Sequence, residues 1–212
     1  MKLRDVTLDD LELWERLRCD PVMNAELGGP QPREEIPGKL AEDVAAVNTD
    51  TSWIVVVESD DGESMGSVCI WSHDADPPFS EVGWGVLPEF QGKGVGKRSV
   101  AALLERARAD GRWGTVHAFP AVTNAPSNGI CRSLGFTLVG PEDFEFRGTT
   151  LHCNHWQIDL AGDLDPLPCS AGVYGSGVRG SEWNNESFHA PCSRRITAVV
   201  GADTCARSPS SE

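Results

Sequence analysis

The chain has no long apolar run, few basic residues and a single tyrosine. No apolar stretch approaches the roughly 20 residues that a membrane-spanning helix requires, and the opening MKLRDVTLDD lacks a signal-peptide core. The 18 lysines and arginines are outnumbered by 32 acidic residues, which gives a net charge of −14. An acidic surface repels nucleic acid and anionic membranes. We therefore expect a cytoplasmic protein without nucleic-acid or membrane partners.

The cysteines and histidines form no recognisable framework. The seven cysteines are odd in number and scattered over 212 residues, which indicates reduced thiols rather than disulfides. The segment HCNH matches no zinc-ligand spacing, and its odd spacing puts His152 and His155 on opposite faces of a strand. We predict no metal site, with one of these histidines facing a cleft and the other facing solvent.

Residues 1–160 alternate between strand and helix patterns. Apolar residues recur at helical spacing in two early segments and after the glycine-rich loop, and β-branched residues cluster between turn signals elsewhere. The predicted strands are 2–6, 53–58, 65–73, 80–87, 114–122, 134–140 and 149–160. The predicted helices are a first one capped by Thr7, a second over 33–47, and two more over 99–109 and 127–133. This order predicts an α/β fold with a mixed sheet.

The composition changes after Leu160. Residues 161–212 are rich in glycine, serine, proline and cysteine, and they hold six acidic and four basic residues. Most of the acidity therefore belongs to residues 1–160. Because such a segment buries little apolar surface, we predict a folded domain over 1–160 and a disordered tail over 161–212.

The segment EVGWGVLPEFQGKGVGK, residues 81–97, ends in alternating glycines of the kind that hold phosphate. A nucleoside-triphosphate P-loop is excluded, since the glycines are one residue too close and Arg98 replaces the serine or threonine after Lys97. The dinucleotide fingerprint G-x-G-x-x-G fails as well, because neither Gly92 nor Gly94 has a glycine five residues later.

What remains, Gln91-Gly92-Lys93-Gly94-Val95-Gly96, closely resembles the Q/R-x-x-G-x-G/A signature of the GNAT superfamily of acetyl-CoA-dependent N-acetyltransferases. A second segment, NAPSNGICRSLGF, is similar to a later motif of that family through Asn124, Ser127 and 134–136. The resemblance covers about residues 1–160. It implies a mixed, mostly antiparallel central sheet of six to seven strands with flanking helices.

The resemblance also implies a site for acetyl-CoA as co-substrate, without a metal. In the family the fourth strand splays from the fifth, and the pantetheine arm lies in the gap while the glycine loop holds the pyrophosphate. Carried onto this chain, the cofactor-binding residues are Trp84, Gly85, Val86, Gln91, Gly92, Lys93, Gly94, Val95, Gly96, Lys97 and Asn124. A structural alternative for Asn124 is that it caps the following helix.

The chemistry requires a proton acceptor for the amine and a donor for the leaving thiolate. Glu81 is our candidate base, because alternation places it on one strand face with Gly83 and Gly85, which leave room for a substrate. His73 is an alternative base. Family members often donate a proton from a tyrosine seven residues after the asparagine, and Cys131 stands there in this chain. A packing role for Cys131 is the alternative.

Two functions follow from these residues. The first is transfer of an acetyl group from acetyl-CoA to a primary amine by direct attack, with a small-molecule or peptide acceptor and room for a homodimer. The N-terminal half resembles the branch that includes ribosomal-protein N-terminal and small-molecule acetyltransferases. The second function is a non-catalytic acyl-CoA-binding regulatory module, which the replacement of tyrosine by Cys131 favours.

Overall fold

A computed structural model describes residues 1–48, 52–74 and 79–161. Within these residues, seven strands and four α-helices follow one another in the order β-α-α-β-β-β-α-β-α-β-β, as the sequence pattern predicts. The strands are β1 Lys2–Asp5, β2 Ser52–Glu58, β3 Ser64–His73, β4 Phe79–Val86, β5 Thr115–Ala118, β6 Thr137–Phe146 and β7 Thr149–Asp159. The helices are α1 Leu11–Cys19, α2 Ile36–Asn48, α3 Val95–Asp110 and α4 Ala125–Ser133.

The strands form one mixed sheet in the order β1-β2-β3-β4-β5-β7-β6. All neighbouring pairs are antiparallel except β4 and β5, which are parallel. This parallel ladder contains only the pairs Ser80–Val116 and Glu81–His117. Beyond Glu81, β4 continues for five residues alongside β3 but outside the β5 ladder. The sheet is therefore split between β4 and β5, with Glu81 and His117 at the last pair.

Two apolar layers cover the faces of the sheet. One layer lies under α3 and α4 and includes Val55, Val57, Val82, Leu104 and Trp156. The other lies under α1 and α2 and includes Trp14, Leu40, Ile54, Val56 and Trp71. The near-continuous apolar run of β2 follows from this arrangement, since a central strand covered on both faces needs apolar residues at every position. We call the α1–α2 side of the sheet the acceptor face, since the family resemblance leads us to expect the acceptor substrate there.

Several boundaries differ from the sequence prediction, among them the end of β5, which lies at Ala118 rather than at residue 122. Helix α3 begins at Val95 rather than Ser99, because Gly94 adopts a left-handed conformation (φ 73°) and acts as its N-cap. Gly96 therefore lies inside the helix, where a Cβ would be 3.0 Å from Cδ1 of Ile130. Strand β6 continues past residue 140 to Phe146 and contains Pro141. It lies at the edge of the sheet, where proline is tolerated.

The predicted disordered tail lies outside the described residues, apart from Ala161. In the part of the chain that the structure describes, no helix is long and apolar enough to cross a membrane. The described cysteines, Cys19, Cys69, Cys131 and Cys153, are free thiols.

Candidate active site

The opening between β4 and β5 organises the site. On β4, Val82 belongs to the layer under α3, and Trp84 and Val86 pack against that layer. Glu81 pairs with Trp71 on β3, and Trp71 belongs to the acceptor-face layer. Glu81 and Val82 therefore face opposite sides of the sheet, which confirms the predicted alternation along β4. The opening thus has a helix-covered side along Trp84 and Val86 and an acceptor side that begins at Glu81.

The glycine loop lies at the end of β4, where a 3₁₀ turn over Pro88–Phe90 leads into it. Gly92 and Gly94 both have left-handed backbone angles (φ 71° and 73°), which favour glycine. The side-chain amide of Gln91 donates to the carbonyl of Val86 at 2.8 Å and fastens the loop to the strand. These contacts fix the direction in which helix α3 leaves the sheet.

The N-terminus of α3 can hold an anion. Gly94 provides no side-chain cap, and the first intrahelical bond is the one from the Arg98 N–H to the Gly94 carbonyl at 3.1 Å. The amides of Val95, Gly96 and Lys97 are therefore the ones that a helix leaves without intrahelical acceptors. Lys93 and Lys97 add positive charge to the positive end of the helix dipole. Such an arrangement suits an anionic group such as a phosphate.

Asn124 caps helix α4, as the structural alternative proposed. Its Oδ1 accepts from the Ser127 N–H at 3.1 Å, which leaves the Nδ2 group as a donor for another partner. A second asparagine, Asn128, joins α4 to β7 by accepting from Asn154 (2.8 Å) and from the Trp156 indole (2.9 Å). The sequence analysis did not single out Asn128, although the repeated Asn in NAPSN was a signal for it.

Glu81 is 4% exposed and contacts a histidine. Its Oε2 lies 2.8 Å from Nε2 of His73, the alternative base, and that same nitrogen lies 3.0 Å from the Trp71 indole nitrogen. A ring nitrogen carries either one proton or one lone pair, so Nε2 serves one of these partners at a time. With Glu81 ionised, Nε2–H donates to the carboxylate. The two predicted bases therefore form one unit.

A second group of polar side chains lies on the β5 side of the opening. Nδ1 of His117 is 2.6 Å from Nε2 of His155, whose Nδ1 is 3.0 Å from Oε1 of Glu142. The prediction that His152 and His155 face opposite sides is confirmed, since His152 is solvent-exposed and paired with Asp143. The sequence alone could not bring His117, His155 and Glu142 together, because their contact depends on β7 lying between β5 and β6.

Half-buried phenylalanines line the acceptor face around these groups. Phe79 stacks on His73 (ring centroids 4.3 Å apart) and meets His117 edge-on at 5.0 Å. Phe119 lies 4.7 Å from the His155 ring and 5.1 Å from Phe144. The acceptor face therefore combines aromatic walls with carboxylates, which suits a cationic amine attached to an apolar body.

Cys131 lies in the layer under α3 and α4 and has no exposed surface. Burial raises the pKa of its thiol to about 12, so the thiol is protonated at neutral pH. The packing alternative accounts for this position. The general-acid role stays a prediction. Among the described residues no group of histidine, cysteine and acidic side chains is arranged to hold a metal ion.

The comparisons with known proteins concern the family and the fold. The family model described as "Acetyltransferase (GNAT) domain" matches residues 1–137, which include β4, the glycine loop, α3 and α4. No curated protein sequence matches the chain.

Solved acetyltransferase structures share the fold. A chimera of spermidine N-acetyltransferase SpeG from Vibrio cholerae and hSSAT is 19% identical, with a TM-score of 0.63 over 75% of this chain and 95% of that chain. An enzyme from Salmonella typhimurium that modifies the N-terminal serine of a ribosomal protein is 18% identical (TM-score 0.62; 74% and 93% covered). The Salmonella typhimurium protein yncA, solved with acetyl-CoA, is 23% identical (TM-score 0.60; 79% and 98% covered). With its family model, seven-stranded sheet and split between β4 and β5, the chain belongs to the GNAT acetyltransferase family.

Proposed function

We propose that the protein transfers the acetyl group of acetyl-CoA to a primary amine, by direct attack of the amine on the thioester. The observation that carries the proposal is the β4–β5 split, which ends at a buried carboxylate and lies next to an uncapped helix N-terminus. The split provides strand backbone for an extended arm, and the helix N-terminus provides amides for a pyrophosphate. A carboxylate at the point where they meet provides a proton acceptor.

The residues present fit coenzyme A. Gly92–Lys97 would hold the pyrophosphate through backbone amides, with charge from the two lysines, and Asn124 would donate from Nδ2. The Leu87 N–H donates to Met65 on β3 at 2.9 Å. Because successive amides of a strand alternate in direction, the Val86 N–H should point into the split. The backbone of Trp84–Val86 would pair with the pantetheine arm there, and the Val86 N–H would polarise the thioester carbonyl. Bound acetyl-CoA supplies the activated acetyl group.

Glu81 would accept the proton that the amine nitrogen loses as the new C–N bond forms. Its burial removes it from bulk water, and His73 at 2.8 Å fixes the orientation of its carboxylate. A positioned base of this kind contributes about 10²–10⁴-fold to a rate. Because the amine attacks directly, the chain needs no nucleophilic serine or cysteine.

The acceptor lies within the class of primary amines. The structural neighbours include one enzyme named for spermidine and one that modifies a ribosomal-protein N-terminus, so polyamines and peptide N-termini both belong in an acceptor screen. Metabolite amines with an apolar body belong there too, since Phe79, Phe119 and Phe144 line the acceptor face.

An assay of coenzyme A release over these three amine classes tests the proposal. We expect the wild type to turn over at least one class, and Glu81→Gln to bind acetyl-CoA normally while losing about 10²-fold or more in kcat. Glu89→Gln is a matched control, because Glu89 is an exposed carboxylate on the turn after β4, paired with Arg16. Tight acetyl-CoA binding without turnover of any amine would instead establish the non-catalytic acyl-CoA-binding module.

A further inference from the structure

Three side chains on three strands form a hydrogen-bonded chain that the proposed acetyl transfer has not yet used. His117 on β5 contacts His155 on β7 (Nδ1 to Nε2, 2.6 Å), and His155 contacts Glu142 on β6 (Nδ1 to Oε1, 3.0 Å). This series of hydrogen bonds starts at His117, which pairs with Glu81 at the apex of the split, and ends at Glu142 on the edge strand β6. We refer to Glu142, His155 and His117 as the histidine chain.

The carboxylate at one end fixes the protons along the whole chain. An ionised Glu142 only accepts hydrogen bonds, so Nδ1 of His155 carries a proton. In neutral His155 the Nε2 atom then carries a lone pair, which accepts a hydrogen bond from Nδ1–H of His117. Neutral His117 protonated on Nδ1 has its lone pair on Nε2, and no described residue hydrogen-bonds to that atom. The histidine chain therefore presents a proton-accepting nitrogen at the apex of the split.

The surroundings keep His117 neutral. The titratable groups around it are Glu81 and His73 from β4 and β3, and His155 and Glu142 from β7 and β6. Burial and the neighbouring His155 lower the pKa of His117 to about 4, while Glu142 opposes the shift. A proton that arrives at Nε2 therefore does not stay on His117, and its arrival favours release of the Nδ1 proton toward His155.

Acetylation of an ammonium group removes two protons from one nitrogen. The first must leave before attack, because the protonated amine has no free electron pair, and the second leaves as the C–N bond forms. Glu81 takes up one proton, so an amine that binds as the ammonium needs a second acceptor in the site. Glu81 and His117 are the two candidates that stand side by side on adjacent strands.

We propose that, within the proposed acetyltransferase function, the histidine chain removes the first proton from the acceptor ammonium. The proton passes from the ammonium nitrogen to Nε2 of His117, the Nδ1 proton of His117 passes to Nε2 of His155, and the Nδ1 proton of His155 passes to the carboxylate of Glu142. Glu142, whose side chain is 29% exposed, then releases the proton to water. The substrate nitrogen keeps the electron pair of its N–H bond and uses it for attack. His117 accepts the proton, and His155 and Glu142 are positioning residues that carry it onward.

The pH dependence of kcat/KM distinguishes this role from a structural one. With an amine that the wild type acetylates, we expect Glu142→Gln to lose about 10²-fold near pH 7. The loss should shrink toward zero as the pH rises to the pKa of the amine, because the free base then needs no proton acceptor. Glu81→Gln should keep its defect at high pH, since the second proton still has to leave.

The protein contains a matched control pair on the opposite face of β6 and β7. Asp143 and His152 form a carboxylate–histidine pair at 2.8 Å, with side-chain exposures of 63% and 70%. Asp143→Asn should follow the wild-type profile at every pH, whereas His155→Gln, which interrupts the chain at its centre, should reproduce the Glu142→Gln profile. If Glu142→Gln and His155→Gln follow the wild type from pH 6 to 10, the histidine chain does not carry the proton, although the acetyltransferase function stands.

Nitrogen-15 NMR of the histidine rings tests the proton arrangement without turnover. We expect His117 to be protonated on Nδ1 in the wild type and in Asp143→Asn, and to lose this fixed tautomer in Glu142→Gln. A His117 ring protonated on Nε2 in the wild type would overturn the proposal. A wild type that acetylates no amine removes the proposed function itself, and the role of the histidine chain in it falls at the same time.

Discussion

Gly66 on β3 controls the position of the strand segment assigned to the cofactor arm. A Cβ added at Gly66 would lie 2.1 Å from the carbonyl oxygen of Gly85 and 3.0 Å from Cα of Val86. Backbone atoms cannot rotate out of the way as a side chain does. In Gly66→Ala the Gly85 carbonyl therefore has to retreat by about 0.9 Å before the contact reaches 3.0 Å.

This displacement acts on the site with little effect elsewhere. A misplacement of about 1 Å can lower a rate by about 10²-fold, and overpacking costs about 1–3 kcal/mol of stability. We expect Gly66→Ala to remain folded, to bind acetyl-CoA more weakly, and to lose about 10²-fold in kcat/KM for acetyl-CoA. The KM for the amine should change little, because Glu81 lies at the other end of β4.

Steady-state coenzyme A release with each substrate varied in turn, together with calorimetric titration of acetyl-CoA, measures these effects. Gly38→Ala is the control, because Gly38 lies on α2 with no atom within 4 Å of the added Cβ. That variant should be as active as the wild type and slightly more stable. A Gly66→Ala protein with wild-type affinity for acetyl-CoA and wild-type kcat/KM would refute the placement of the cofactor arm along β4.

Three further variants test other residues. Asp43→Asn should lower the free energy of unfolding, measured in urea titrations, by about 3–5 kcal/mol, because it leaves the fully buried Arg18 without its carboxylate. Glu15→Gln, in the more exposed pair with Arg33, should lower it by less than about 1 kcal/mol. Equal losses in the two variants would contradict the importance of the buried pair. Asn124→Asp should keep the α4 cap and the melting temperature but bind acetyl-CoA more weakly, since it lacks the Nδ2 donor; unchanged affinity would limit Asn124 to capping. Cys131→Ala should lower the melting temperature and leave kcat unchanged, whereas a tenfold fall in kcat that Cys131→Ser restores would support the general acid.

The order of the elements and the glycine loop could be predicted because their signals are local. Thr7 marks a helical start through its capping chemistry, although it caps a 3₁₀ turn over Leu8–Asp10 and α1 follows at Leu11. The start of α3 was missed because glycine is unfavourable inside a helix. Gly96 is tolerated there, since its missing side chain lets α3 approach Ile130.

The histidine chain could not be predicted, because it depends on pairings between distant strands. His117 and His155 are 38 residues apart, and they meet only because β7 returns between β5 and β6 in antiparallel register. Strand alternation did predict that the two histidines of β7 lie on opposite faces, but not which of them faces the site. The strand order, and with it the identity of the partner, is set by the packing of the whole sheet.

A crystal structure of the protein with coenzyme A tests the central claim most directly. The account predicts the pyrophosphate on the amides of Val95, Gly96 and Lys97, the pantetheine arm along Trp84–Val86, and the sulfur at the apex of the split beside Glu81 and His117. Coenzyme A bound elsewhere, or a split that closes to extend the β4–β5 ladder when coenzyme A is present, would contradict it.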